Sequence, residues 1–379
     1  MPNKPWPMIL SALLAAFVLM ACQSGAASTA DQPCPQVFGI TLPLPFCQAG
    51  AAPTVDQPAV PATALPAAED HASDEHDHDD HAGELPALQP VTLATGERLH
   101  AVATTSLIAD SVQRVAGDLV DLTVLIPAGS DPHSYVATPQ DMALLEDAHV
   151  IFVNGLGLEE SLIPTLESLE NKAAVVEVNL AVEPIEHVED EADAAAEEHD
   201  HHHEGIDPHT WQEIANVQLW VETIKHALSE LDPANAASYA SAAAAYGAEL
   251  EQLDQEVRTT LAAIPADKRK LVTDHDTFRY FARAYGFEVV GSVIPSFSSL
   301  ASISAQEMAA LQQQITEQGV QAIFVGTTVN PRLAEQIAQD TGVQVVVLYS
   351  DSLSAAGGNA ASYVEMMRSN AQKMAGVLK

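Results

Sequence analysis

The thirty residues from 322 to 351, AIFVGTTVNPRLAEQIAQDTGVQVVVLYSD, decide the fold. An apolar run at 322–325 is followed by Asn330-Pro331, which places a proline in the first turn of a helix. That helix ends at Gly342, and 343–348 is a nearly continuous apolar strand. A strand apolar on both faces belongs inside a parallel sheet, because crossover helices cover both of its sides. The unit therefore reads strand, helix, parallel strand. Asp351 falls just past the carboxyl end of the second strand, at the edge where open α/β sheets hold ligands.

The same alternation extends in both directions. Upstream lie a strand at 271–273, a helix at 277–285, a strand at 288–291 and a helix opened by the capping box Ser304-Ala305-Gln306-Glu307. A helix from about 360 closes the chain. Nearer the N-terminus, 100–104 reads as a strand, 106–115 as an amphipathic helix ending at Gly117, and 121–126 as a strand. Thr138 then caps a helix with Pro139 at its first position, and 150–153 and 173–178 are further strands. Between these sets, 211–264 contains Asp232-Pro233 as its strong breaker, Gly247 being isolated, and predicts two long helices. The second, about 30 residues, would span roughly 45 Å and serve as a strut. The predicted fold class is α/β: two lobes of parallel-sheet (β/α) units, 98–232 and 266–379, joined by one long rigid helix at 233–265.

Of the chain's 379 residues, 52 are Asp or Glu and only 15 Lys or Arg, a formal net charge of −37, with 47% of residues apolar. Such a chain repels nucleic acid and anionic membrane surfaces, so neither is expected to bind the folded part. The charge is concentrated. Residues 69–84 hold eight acids and four histidines (His71, His76, His78, His81), and 183–204 hold ten acids and five histidines. Residues 22–97, rich in Ala, Pro, Asp and His, read as a disordered tether, with folded structure beginning near Arg98. Flexible imidazoles coordinate borderline metals without a preformed cage, so His199, His201, His202 and His203 are candidates for weak auxiliary metal binding. His100, His149 and His226 fall in or beside regular elements and read as structural.

The N-terminus sets the compartment. Lys4, the apolar run 8–20 and Leu19-Met20-Ala21-Cys22 form a secretory signal at 1–21, in which the apolar run is too short to span a membrane. Leu-Met-Ala-Cys resembles the lipobox of bacterial lipoproteins, which makes Cys22 the expected lipid anchor. In an exported setting the remaining pair, Cys34 and Cys47, reads as a disulfide.

Three more residues join Asp351. His133 and His275 follow predicted strands, and His209, in Asp207-Pro208-His209-Thr210-Trp211, sits at the mouth of a helix. Three imidazoles and a carboxylate suit tetrahedral zinc, with manganese less favoured because it prefers more oxygen. Singly, each histidine reads as structural or merely exposed, and their intervals of 76, 66 and 76 residues match no local metal motif. In combination, His133 with Tyr135 and Pro139, Asn154-Gly155 with Glu159, Asp207-Pro208-His209 with Trp211, His275-Asp276 with Tyr280-Phe281, and Asp351 resemble the metal-binding lipoproteins of ABC importers, over roughly 98–379.

That resemblance implies a metal held in the cleft between the lobes, with His133 and His209 as ligands from the first lobe and His275 and Asp351 from the second. It implies a monomer that docks on an ABC importer permease served by its ATPase, exported and lipid-anchored at the outer face of the cytoplasmic membrane or in the periplasm. A histidine at the third ligand position and a histidine-rich insert are similar to zinc members, so Zn2+ is the expected cargo and Mn2+ the alternative. One departure stands out: Gly326, where many relatives carry glutamate. No enzymatic activity is expected, because protein fills all four positions where a hydrolytic zinc keeps one open. The competing readings are a zinc hydrolase with Asp351 as base, a manganese or iron binder, and a surface adhesin. Free imidazoles would make metal affinity weaken as pH falls through about 6.5.

Overall fold

Four parallel strands build the first lobe: β1 (Leu99–Ala103), β2 (Val120–Val124), β3 (Val150–Val153) and β4 (Ala174–Glu177), in the order β2-β1-β3-β4. The second lobe repeats that order position for position with β5 (Lys270–His275), β6 (Glu288–Ile294), β7 (Ala322–Gly326) and β8 (Gln344–Leu348), arranged β6-β5-β7-β8. The computed structural model describes residues 88–169, 173–186 and 205–379. The expected signal at 1–21, Cys22, Cys34, Cys47 and His199, His201, His202 and His203 lie outside the described residues, as do His71, His76, His78 and His81.

The two-lobed α/β architecture agrees with the sequence pattern. β3 and β7 are buried along their whole length, as strands covered on both faces must be. β8, the apolar strand that identified the parallel sheet, departs from its expected interior place: it is an edge strand, and Val347 is 47% exposed. Its open polar groups are managed by the C-terminal helix, Tyr363–Leu378, whose Lys373 Nζ donates to the Val347 carbonyl while Asn370 bonds both the amide and the carbonyl of Tyr349.

The helices start where the caps predict. In α1 (Ser106–Ala116) the Thr105 side chain accepts from the Ile108 amide, and α2 (Pro139–Glu146) opens with a full capping box between Thr138 and Asp141. A short helix the pattern does not announce, α3 (Ile163–Glu167), follows a 3-10 turn. Next come α4 (Ile214–Leu231) and α5 (Ala236–Leu261), then α6 (Arg279–Tyr285), α7 (Ala305–Gln318), α8 (Arg332–Thr341) and α9 (Tyr363–Leu378). The Ser304–Glu307 box caps α7, and Gly342 ends α8 at φ 77°, a left-handed position that disfavours a side chain.

α5 is the expected long helix, 26 residues and about 39 Å, preceded by a 3-10 turn at Pro233–Asn235. Its buried residues, Tyr239, Ala243, Tyr246, Leu250, Leu253, Val257 and Leu261, recur every three or four positions and form one stripe. That stripe packs among α1, α4 and α9, so a single apolar core runs from the first sheet through the helix layer into the second lobe. Two smaller cores fill the outer faces of the sheets. Packing begins earlier than Arg98: Leu88, Val91 and Leu93 lie on the main core, and the Val91 amide donates to the Leu231 carbonyl at 2.8 Å. The last ten residues read as tether therefore pack on the body.

Candidate metal centre

His133 lies in the loop between β2 and α2. Asp131 shapes that loop, its Oδ1 accepting the His133 amide at 3.0 Å, and Ser161 Oγ donates to the His133 carbonyl at 3.0 Å. His209 opens a 3-10 turn ahead of α4 and is held twice by Asp207, whose Oδ1 meets the His209 amide at 2.9 Å and its Nδ1 at 2.8 Å. Asn154, at the end of β3, supports this segment by donating to the Pro208 carbonyl at 3.0 Å. Its neighbour Glu159 takes the Thr104 hydroxyl at 2.6 Å and the Asn154 amide at 2.7 Å, which fixes the ends of β1 and β3 together.

His275 is the last residue of β5 rather than a residue beyond it, and Asp274 Oδ1 stands 3.2 Å from its Nδ1. Asp351 follows β8 as expected. Its Oδ2 accepts from Thr328 Oγ1 at 3.0 Å and from Ser350 Oγ at 2.5 Å.

These four side chains meet at one point. His133 Nε2 is 3.2 Å from His209 Nε2, which is 3.3 Å from His275 Nε2; Asp351 Oδ1 is 3.8 Å from His209 Nε2 and 3.7 Å from His275 Nε2. One donor atom from each of the four lies within 4.8 Å of all the others. A tetrahedron with metal–ligand bonds of about 2.0–2.1 Å has edges of about 3.3–3.4 Å, which this set approaches. His209 and His275 are 0% exposed, His133 and Asp351 2%. Among the described residues this is the one group of three or more His, Cys, Asp or Glu side chains so placed.

Burial and charge divide the imidazoles. Desolvation pushes His209 down to about 3, and the same burial, reinforced by His209, holds His133 well below its ordinary 6.5. His209 is therefore neutral, donates through Nδ1 to Asp207 and turns the lone pair of Nε2 toward the centre. Burial would also lower His275, but the carboxylates of Asp351 and Asp274 overcome it and raise His275 to about 9. Burial pushes Asp207 up to about 7.

Asp207 and Asp274, which the ligand set read from the sequence does not include, stand directly behind His209 and His275. Their signal is adjacency, Asp-Pro-His and Asp-His, the pattern of a carboxylate that fixes an imidazole's tautomer and orientation. Trp211 adds a wall: its ring meets His209 edge-on at 5.3 Å, and its Nε1 donates to the Ser350 carbonyl at 2.7 Å, across the lobes. His100 and His149 pair with each other at the opposite end of the first sheet, away from the centre.

The profile of the family described as zinc-uptake complex component A, periplasmic, matches residues 101–377. The chain belongs to that family. Among relatives of this chain are the manganese-binding lipoprotein MntA of Halalkalibacterium halodurans, 33% identical over 280 residues, and the manganese ABC transporter substrate-binding lipoprotein PsaA of Streptococcus mitis, 31% identical over 290. The alignments cover 74% of this chain and 88% and 90% of those proteins. Among solved structures, the periplasmic zinc binding protein TroA from Treponema pallidum is similar with a TM-score of 0.66 and 29% identity, over 74% of this chain and 99% of that one. A manganese-bound periplasmic metal binding protein from Candidatus Liberibacter asiaticus is similar at TM-score 0.65 and 29% identity, over 74% of this chain and 100% of that one. This chain is thus a metal-binding substrate-binding protein of an ABC transporter and not an enzyme.

Proposed function

We propose that the protein captures zinc outside the cytoplasmic membrane through His133, His209, His275 and Asp351 and delivers it to the permease of an ABC importer driven by its ATPase. One observation carries the choice of zinc: three imidazole nitrogens and a single carboxylate oxygen stand at nearly tetrahedral spacing in a buried pocket. Manganese prefers octahedral, oxygen-rich sites, and this centre offers one carboxylate. The names of MntA and PsaA favour manganese as the second reading, at about 30% identity.

In this reading Cys22 anchors a monomer by its lipid, Cys34 and Cys47 close a local disulfide, and His199, His201, His202 and His203 gather metal weakly. Calorimetric titration of the metal-stripped mature protein with zinc and with manganese tests it. Expected is one tight zinc site, weaker manganese binding, and loss of the tight site in the His209→Ala, His275→Ala double variant. Failure to bind zinc sinks the cargo assignment, and tight binding that survives the double substitution misplaces the site.

A further inference from the structure

Asp351 can offer only one of its oxygens. A carboxylate has about four acceptor positions, two on each oxygen. Ser350 Oγ and Thr328 Oγ1 occupy both of those on Oδ2, at 2.5 and 3.0 Å, whereas Oδ1 takes one long bond from Thr277 Oγ1 at 3.5 Å and faces the imidazoles. The side chain is 2% exposed, so these hydroxyls lock its orientation from within the protein.

Gly326 completes the arrangement. It lies at the end of β7, and a Cβ placed there would collide with Ser350 Oγ and reach 3.2 Å from Asp274 Oδ2. Any side chain at 326 would rotate the serine hydroxyl off Asp351. Gly326 is thus matched to the serine, and its own amide donates to Asp274 Oδ2 at 2.8 Å behind His275.

We propose that Ser350 and Thr328, with Gly326 leaving room for the serine, are positioning residues that set metal selectivity: they confine Asp351 to a single bond, keep the centre four-coordinate and so disfavour manganese. The inference rests on the zinc reading above and deepens it. Manganese gains from added oxygen ligands, and a bidentate carboxylate is the nearest source of one.

The test compares the full-length mature protein with Ser350→Ala, Thr328→Val, their double variant, Gly326→Ala, and the conservative Ser350→Thr and Thr328→Ser. Zinc and manganese affinities come from chelator competition, and Co2+ substitution reports coordination number, since four-coordinate Co2+ absorbs visible light far more strongly than five- or six-coordinate Co2+. Expected are intense Co2+ bands in the parent, weaker bands in the double variant, and a zinc-to-manganese affinity ratio that drops about tenfold or more. Ser350→Thr and Thr328→Ser should retain the parent's spectrum and ratio, whereas Gly326→Ala, which displaces the hydroxyl without removing it, should shift both toward the double variant. A parent that prefers zinc, together with a folded double variant of unchanged ratio and spectrum, overturns this proposal and leaves the zinc reading standing. A parent that prefers manganese and shows weak Co2+ bands overturns both. Should the double variant fail to fold, Gly326→Ala and the single variants decide by the same two readouts.

Discussion

Taking a zinc titration from pH 8 to pH 7 should weaken binding about tenfold, and the effect resides in His275. Burial alone would lower its pKa, yet Asp351 and Asp274 raise it to about 9. The sign follows directly: a raised pKa means that His275 carries a proton at every pH below about 9, and a metal must expel that proton to reach Nε2. Each pH unit below 9 therefore costs about 1.4 kcal/mol of apparent affinity, a factor of ten. His133 and His209 are shifted the other way by burial, His209 to about 3, so neither adds a competing proton near neutrality. Asp207, raised to about 7 by burial, is protonated below that pH; a cation on the imidazole it holds favours its carboxylate, so a second proton leaves and the slope steepens. From pH 8 to 6 the loss is at least about a hundredfold, or roughly 2.7 kcal/mol. Free imidazoles would have placed the whole fall near 6.5; the buried carboxylates around His275 move its onset upward. Competition against a chelator of known protonation, with calorimetry at pH 8 in two buffers of different ionisation enthalpy, should give about one proton released per zinc. Asp274→Asn removes one of the groups that raise His275 and should lower the pH at which the dependence begins. An affinity flat between pH 7 and 8.5, with no proton released at pH 8, would refute the reasoning.

Three further outcomes are expected. Asp207→Asn keeps the shape of the side chain but weakens its hold on His209 Nδ1, and zinc affinity measured by competition should drop about 10- to 100-fold while the thermal midpoint changes little. Leu250→Ala, at a fully buried position midway along α5, should cost about 2–5 kcal/mol of stability in urea unfolding and leave the zinc affinity of the folded protein unchanged. Deleting residues 187–204 should remove any weak excess of bound zinc in a stoichiometric titration and preserve the single tight site; loss of the tight site would contradict the division between centre and insert.

Local chemistry made most of the fold legible. Thr138 with Pro139, and Ser304 with Glu307, are start signals whose hydrogen bonds close within three residues, so they do not depend on the remainder of the chain. His133, His275 and Asp351 were legible because their positions after or at the end of strands are a consequence of topology, while His209, ahead of α4, joined them through the resemblance. What escaped was set by tertiary contact. Leu88, Val91 and Leu93 sit in a proline-flanked, aperiodic stretch, and only packing against the main core, with the Val91 amide on the Leu231 carbonyl at the end of α4, partly buries them. The 343–348 strand is apolar enough for the interior, but side chains of α9 cover its edge in place of another strand. Thr328 and Ser350 resemble ordinary turn residues, since their value depends on Asp351, the close approach of Gly326 and the sheet register that aligns Gly326 with Leu348.

The repeated sheet order explains how two lobes make one centre. The fourth strand of each lobe, β4 and β8, leads to a ligand, His209 and Asp351, and the remaining two come from the loop after β2 and the end of β5. Contacts between lobes are as close as contacts within them: His209 to His275 is 3.3 Å across the cleft, and His133 to His209 is 3.2 Å inside the first lobe. Neither lobe alone holds more than two donors, so the donor set exists only where the lobes meet. Trp211 to Ser350, Tyr363 to the Trp211 carbonyl and Tyr280 to the Asp207 carbonyl also bridge them directly behind the histidines. A cation seated among the four donors would replace the His275 proton as the charge that offsets Asp351 and Asp274, and it would bond to both lobes where a proton bonds to one. Part of the binding energy must therefore appear as resistance to separating the lobes, and release requires breaking bonds to at least one pair of donors.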